Sequence, residues 1–365
     1  MNSLIGIDLG SYSIKAVEII SDKNELRMEN LFLKDIPQEF IAENKKDKIA
    51  DFRREALREI ISKRITESKV SISLPYDMVM MERLSVTSAP RDELNSIMKW
   101  EMADKFKFPV NNAKIDYILL DKAGDLQGNR LNVLGLAVLK EEANKMINEI
   151  QNFGAEVVSL QPSNIGIVNL LIEQNSIKED EVVGILDLGA NQSSFSVVFQ
   201  GNIHFYRNLT VNGSMITKAI SDYCDFAPTD AEKAKKRIGL VTKANYSEDK
   251  SLYVTLGIEK QSVYAATTQL ERLVSDVERS FKYLSFKLSS SKIQKLNKII
   301  LLGGGANLRG LVDFIASRLY VPVEVINPFK KLVYVIQRFD ADYLKQIGAS
   351  VANSIGACSM LETGE

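Results

Sequence analysis

Residues 4–20, "LIGIDLGSYSIKAVEII", form an apolar run that ends on Asp8, turns through Gly10, Ser11, Tyr12 and Ser13, and resumes as a second strand-like run. Residues 181–199, "EVVGILDLGANQSSFSVVF", repeat the device with Asp187, Gly189, Ala190 and Asn191. The two aspartates stand 179 positions apart in a chain of 365 residues. A device repeated at half the chain length predicts an internal duplication with two related halves. In both copies a strand, not a helix, follows the turn, so each is a hairpin.

Between the copies the pattern changes. Residues 48–68 carry Ile49, Phe52, Ala56, Ile60 and Ile61 at three- and four-residue steps, which predicts an amphipathic helix, and "KVSISLP" a strand closed by Pro75. Residues 76–155 read as a compact insert in the order strand, helix, strand, strand, helix. Its first helix carries Leu94, Ile97, Met98 and Phe106 on one stripe, and a turn at 122–129 joins its last two strands. The first half is therefore expected at 1–75 and 156–180, and the second at 181–365. The second half holds a helix over 213–223, the charged helix "PTDAEKAKKRIG", a long helix over 263–288, and "NKIILLGGGANLRGL", a strand running into three glycines and a helix from about 308 to 319. A short strand and a mostly helical tail follow.

The turns suggest chemistry. A polyphosphate needs several converging backbone N–H donors with no side chain in the way, and Gly10, Ser11, Tyr12 and Ser13 can supply them. Mg²⁺ keeps most of its waters and takes one or two carboxylates, a role open to Asp8 and Asp187. Two such hairpins would clasp a triphosphate from opposite sides; either turn alone is equally an ordinary tight hairpin. Gly303, Gly304 and Gly305 would let a flat ring or ribose lie on bare backbone. Neither a helix-opening G-x-G-x-x-G with its acidic partner nor a GxxxxGK[ST] loop is present.

In order and spacing, "DLGSYS", "DLGANQS", "LLGGGANLRGL" and the helix bearing Glu232, Lys235 and Lys236 resemble the two phosphate motifs, the adenosine motif and the ribose-contacting helix of the actin, sugar-kinase and heat-shock-chaperone ATPases. Taken alone, that helix also reads as a solvated charge run. The resemblance implies an α/β actin-like ATPase fold with two ribonuclease-H-like halves. It further implies ATP with Mg²⁺ as the cofactor, and Lys15, Gly189, Ala190, Asn191, Gly213 and Asn307 among the nucleotide contacts. Chaperone ATPases place Glu-Pro before the second hairpin, where this chain has Gln161-Pro162. Glutamine orients water but cannot take its proton, so slow or absent turnover is expected.

The insert, "KFKFPVNNAKIDYILL" and "NPFKK" resemble the PilM family of type IV pilus assembly and, more distantly, FtsA. The insert would then be an SHS2-like α+β subdomain. FtsA usually ends in a basic amphipathic helix, whereas this chain ends in "SIGACSMLETGE". The PilM resemblance implies a grip on the cytoplasmic N-terminal peptide of a PilN-like inner-membrane protein, with pilus assembly ATPase machinery as a further partner. A sugar- or acetate-type kinase and a filament-forming protein are competing readings of the same motifs.

Composition excludes other classes. Lys and Arg total 46 against 47 Asp and Glu, so no whole-molecule field draws nucleic acid or an acidic membrane. No run approaches a membrane span, and Cys224 and Cys358, far apart, read as buried fillers in a reducing compartment; a cytoplasmic protein, at the membrane only through its partner, is expected. The single histidine, His204, is read as structural.

Overall fold

A computed structural model of the chain describes residues 2–22, 25–62, 69–103, 105, 109–120, 130–238, 260–287, 293–335 and 337–359. The opening hairpin pairs β1 (Asn2–Leu9) with β2 (Ser13–Asp22), and β3 (Glu25–Asp35) continues the meander. β4 (Lys69–Leu74) and β8 (Glu156–Pro162) add in parallel on the far side of β1, giving the order β3-β2-β1-β4-β8. The second half repeats this in β9 (Val183–Leu188), β10 (Ser193–Phe199), β11 (Asn202–Leu209), β12 (Lys298–Leu302) and β13 (Val323–Val325), ordered β11-β10-β9-β12-β13 with the same strand senses. The duplication extends to a defect: β2 slips register between Glu18 and Ile19, and β10 slips between Val197 and Val198, again 179 positions later. Such bulges sharpen the local twist and are built-in features, not accidents.

The third strand of each half is absent from the sequence pattern. "ELRMENLFLKD" buries only Met28 fully, and "NIHFYRNL" mixes polar and apolar residues, because each lies at the outer side of its meander with one face half open. The inner strands are buried on both faces. Ile14 and Ala16 of β2 pack with Ile5, Ile7 and Ile72 against Ala56, Leu57, Ile60 and Ile61 of α2 (Lys46–Ser62), while Val17 and Ile19 join the larger core shared with the second half. Residues 63–68, the expected end of α2, lie outside the described residues, and a short α1 (Gln38–Ala42) precedes it.

The insert follows its expected order: β5 (Val79–Thr87), α3 (Arg91–Ala103), β6 (Ala113–Leu119), β7 (Arg130–Leu139) and α4 (Lys140–Gln151), with sheet order β5-β7-β6. Leu94, Met98 and Met102 of α3 fill its core with Val86, Val133 and Ala137. Phe106 and the 122–129 turn lie outside the described residues. The insert docks on β11 where Arg83 Nη1 meets His204 Nδ1 at 2.7 Å, and the His204 ring sits edge-on to Phe199. His204 is thus structural. Its pKa is lowered to about 4 by burial, and the Arg83 cation pushes the same way.

This sets an acid sensitivity. The unfolded imidazole takes its proton near pH 6.5 and the folded one only near 4, so stability from this contact is lost as pH falls between those values. The thermal midpoint of the wild type should fall more steeply from pH 7 to pH 5 than that of His204→Gln, which still accepts from Arg83; equal slopes would refute the assignment.

α5 (Ser163–Glu173), α6 (Gly213–Cys224), α7 (Pro228–Arg237), α8 (Lys260–Lys287) and α9 (Leu311–Leu319) follow the predicted helices. α9 begins three residues later than expected because the glycine run forms a 3-10 turn over Gly304–Asn307 first. The segment after β13 reaches back onto the first half. β14 (Leu332–Val333) pairs with β3, extending the first sheet, and α10 (Ala341–Gly356) packs on β1, β4 and α5. Close approach requires glycine here: a Cβ on Gly6 of β1 would stand 1.9 Å from the Ser354 carbonyl oxygen of α10. Among the described residues no helix is long and apolar enough to cross a membrane. Both cysteines are free and half-buried, and burial pushes the Cys358 thiol up to about 12, which leaves it unreactive.

Candidate functional site

The two acidic turns meet. Asn191 N–H donates to Ser11 Oγ at 3.2 Å across 180 residues of sequence, so the tips of both hairpins share one cleft. On the first turn Lys15 Nζ pairs with Asp8 Oδ2 at 3.0 Å, both side chains largely buried. A Cβ on Gly10 would stand 2.5 Å from that ammonium, so the turn's first residue is bare because the lysine crosses it. Tyr12 and Ser13 complete the turn, Tyr12 carbonyl accepting from Ile36 N–H at 2.8 Å.

The second turn is built on the start of α6. Gly213 N–H donates to the Gly189 carbonyl at 2.9 Å and Ser214 N–H to the Ala190 carbonyl at 2.7 Å, while Ser214 Oγ bonds Asn191 Oδ1 at 2.6 Å. Asn212 caps the helix by accepting from Met215 N–H at 3.0 Å.

Asp187 is 4% exposed, and its Oδ2 accepts from the Tyr76 hydroxyl at 2.8 Å and from Asn353 Nδ2 at 3.0 Å. Burial raises its pKa; the two donated bonds oppose the shift, and the Asp8 charge adds to it. A buried carboxylate held near another carboxylate is a place that gains from a cation. The glycine turn closes over it. Gly303, at φ +84, would place a Cβ 2.4 Å from Asp187 Oδ1, and one on Gly305 would strike the Leu188 side chain at the same distance. Packing demands those two glycines. Gly304 is exposed with nothing closer than 3.8 Å to its Cβ position, so it alone presents open backbone, and Asn307 beside it reaches Ser350 Oγ at 3.4 Å.

The charged helix α7 is tied to both halves. Buried Glu232 and half-buried Lys235 pair at 2.7 Å, and Lys235 Nζ also donates to the Gly213 carbonyl and to Thr217 Oγ1, at 3.1 and 2.8 Å. Lys236 faces the other way, donating to the Tyr12 hydroxyl at 2.6 Å with its ammonium 4.8 Å from that ring's centroid. Gln161 sits in register with Ser73, itself in register with Asp8, which puts it about 10 Å along the sheet from Asp8. Its Nε2 donates to the Ser359 carbonyl at 3.0 Å, fastening the turn that follows α10, while Oε1 is buried with no partner among the described residues.

Three residues here carry no sequence signal. Arg53 of α2 donates to the Gly10 carbonyl at 3.1 Å and leaves its Nε buried without a partner among the described residues. Tyr76 and Asn353 orient Asp187 from 111 and 166 positions away.

The family model of type IV pilus assembly protein PilM matches residues 6–252. The chain belongs to the PilM family. A solved PilM–PilN type IV pilus biogenesis complex aligns over 97% of each chain at 21% identity with a TM-score of 0.79. MreB5 of Spiroplasma citri bound to ADP aligns over 95% of this chain and 98% of its own at 15% identity and a TM-score of 0.50. These place the PilM-family chain in the actin-like ATPase fold. The FtsA description matches residues 184–346, and FtsA of Bacillus subtilis is 25% identical over 207 residues, 55% of this chain and 46% of its own. FtsA of Buchnera aphidicola is 25% identical over 166 residues, 42% of this chain and 40% of its own. The chain thus spans less than half the length of the curated relatives it matches.

Proposed function

We propose that the protein is a cytoplasmic, ATP-binding actin-like scaffold of a type IV pilus inner-membrane assembly, holding the N-terminal peptide of a PilN-like membrane protein and lying at the membrane only through that partner. The observation that carries the adaptor reading is a groove of about 350 Å³ between β8, the edge strand of the first sheet, and β6, the edge strand of the insert. Its walls include Leu74, Val79, Ile115, Leu136, Val157 and Leu160. Two facing strand edges with apolar walls suit an extended peptide, which pairs by backbone and seats alternate side chains. The division proposed is a first half at 1–75 with 156–180, an insert at 76–155 and a second half at 181–365, whose β14 and α10 reach back onto the first.

The cleft suits Mg·ATP. Asp8 and Asp187 would hold the hydrated ion, Lys15 and the bare turns at Gly10–Ser13 and Gly189–Asn191 the phosphates, and Gly304, Asn307 and Lys236 the nucleoside side. ATP would supply the charge that draws the two halves together. Gln161 spends its amide on the Ser359 carbonyl, so what this chain offers the attacking water is a neutral, anchored group. Slow turnover follows. Titration calorimetry should show Mg·ATP binding and, separately, binding of a synthetic PilN-type N-terminal peptide, with phosphate release near the blank. Rapid release dependent on Asp187 would overturn the turnover reading; no heat from the peptide would overturn the adaptor reading.

A further inference from the structure

We infer that Tyr76 couples the cleft to the groove, so that nucleotide at Asp187 resets the groove wall; this rests on the proposed nucleotide and peptide sites. Tyr76 lies in the tight turn between β4 and β5, where Met78 N–H donates to the Pro75 carbonyl at 3.1 Å. Proline fixes one backbone angle and this bond closes the turn, so Tyr76 does not move without its neighbours. Those neighbours, Leu74 and Val79, both line the groove.

The tyrosine is pinned to the second half at both ends. Its hydroxyl donates to Asp187 Oδ2 at 2.8 Å, its carbonyl accepts from the Tyr206 hydroxyl at 2.9 Å, and the two rings stack with centroids 6.0 Å apart. Asp187 lies near the end of β9 and Tyr206 on β11, both strands of one sheet. Thus a residue that belongs by chain to the crossing from first sheet to insert is held by the second sheet. Any displacement of that sheet relative to the first, such as closure on a triphosphate, drags the turn and moves both strand ends that wall the groove. A packed element of this kind shifts between discrete arrangements rather than stretching, which is how a small movement becomes a readable one.

The test uses the full chain and Mg·ATP as the probe, with saturation of each variant set by calorimetry. Amide hydrogen exchange is followed at residues 77–80 and 156–160. In the wild type, saturating Mg·ATP should change exchange in the groove wall by about threefold or more. Tyr76→Phe keeps the ring stack and loses the bond to Asp187, and Tyr206→Phe removes the donor at the other end. The first should abolish the groove response and the second weaken it, while exchange in the opening hairpin at residues 9–13 still responds. If Tyr76→Phe proves too unstable to assay, the Tyr206→Phe result decides. A groove response of wild-type size in the variants, or an unchanged groove in nucleotide-saturated wild type, overturns the coupling. Calorimetry without any Mg·ATP heat in the wild type instead refutes the nucleotide site beneath it.

Discussion

Asp187→Asn is expected to raise the thermal midpoint of the nucleotide-free protein and to weaken Mg·ATP binding sharply, whereas Asp8→Asn lowers the midpoint. Asp187 is buried, its pKa is raised by that burial, and asparagine keeps an acceptor for Tyr76 and Asn353 without the charge. The sign follows: above the raised folded-state pKa the native protein bears an ionised carboxylate that the unfolded chain solvates more cheaply, so removing the charge stabilises at neutral pH and not in acid. Asp8 is different because it neutralises Lys15 in a pair with little exposure. Taking it away leaves a buried ammonium without its anion, a loss of about 2–3 kcal/mol. Both variants lose a carboxylate facing the cation, so Mg·ATP affinity should drop by roughly 100-fold or more, the scale of a lost charged contact of about 3 kcal/mol. Differential scanning fluorimetry at pH 7.5 with and without Mg·ATP reads both effects. Midpoints that move together, or nucleotide stabilisation surviving in Asp187→Asn, would remove the carboxylates from the proposed role.

The second large effect falls far from the cleft's chemistry. Gly6→Ala adds one methyl group, yet the atom it meets is the Ser354 carbonyl oxygen at 1.9 Å, and backbone cannot swing aside like a side chain. Gly166 of α5 and Gly356 of α10 make a similar contact, each Cβ position lying within 3 Å of the other's backbone. Three glycines therefore let α10 lie against β1 and α5. Parting these layers by even a few tenths of an ångström forfeits close packing along the whole helix. Gly6→Ala should destabilise by about 3 kcal/mol or more, a fall of about 4 °C or more in the midpoint of a chain this long. A neutral outcome in thermal melts would mean that α10 is not seated as described.

How far the sequence reveals the molecule depends on where the signal lies. Strands buried on both faces, such as "VGILDL", announce themselves through composition, and the insert's helices through their stripes. The outer strands β3 and β11 do not, because a half-exposed strand places no clean demand on alternate residues. The paired turns are legible because glycine, small polar residues and aspartate recur at a fixed spacing. Tyr76 and Asn353 are not, since nothing local marks a tyrosine after Pro75 or an asparagine on a helix face as the partner of Asp187. The glycine run is legible as a turn but not in its division of labour: Gly303 and Gly305 serve packing and Gly304 alone faces outward.

The return of β14 and α10 to the first sheet bears on how the chain is made. The opening hairpin is synthesised well before β14 and α10, which cover β3 and the surface around Gly6 and Gly166. While translation is still within the second half that seam stays open, so the first sheet waits for its native packing on a segment far along the chain. A fragment cut between the duplicated portions would carry the seam uncovered.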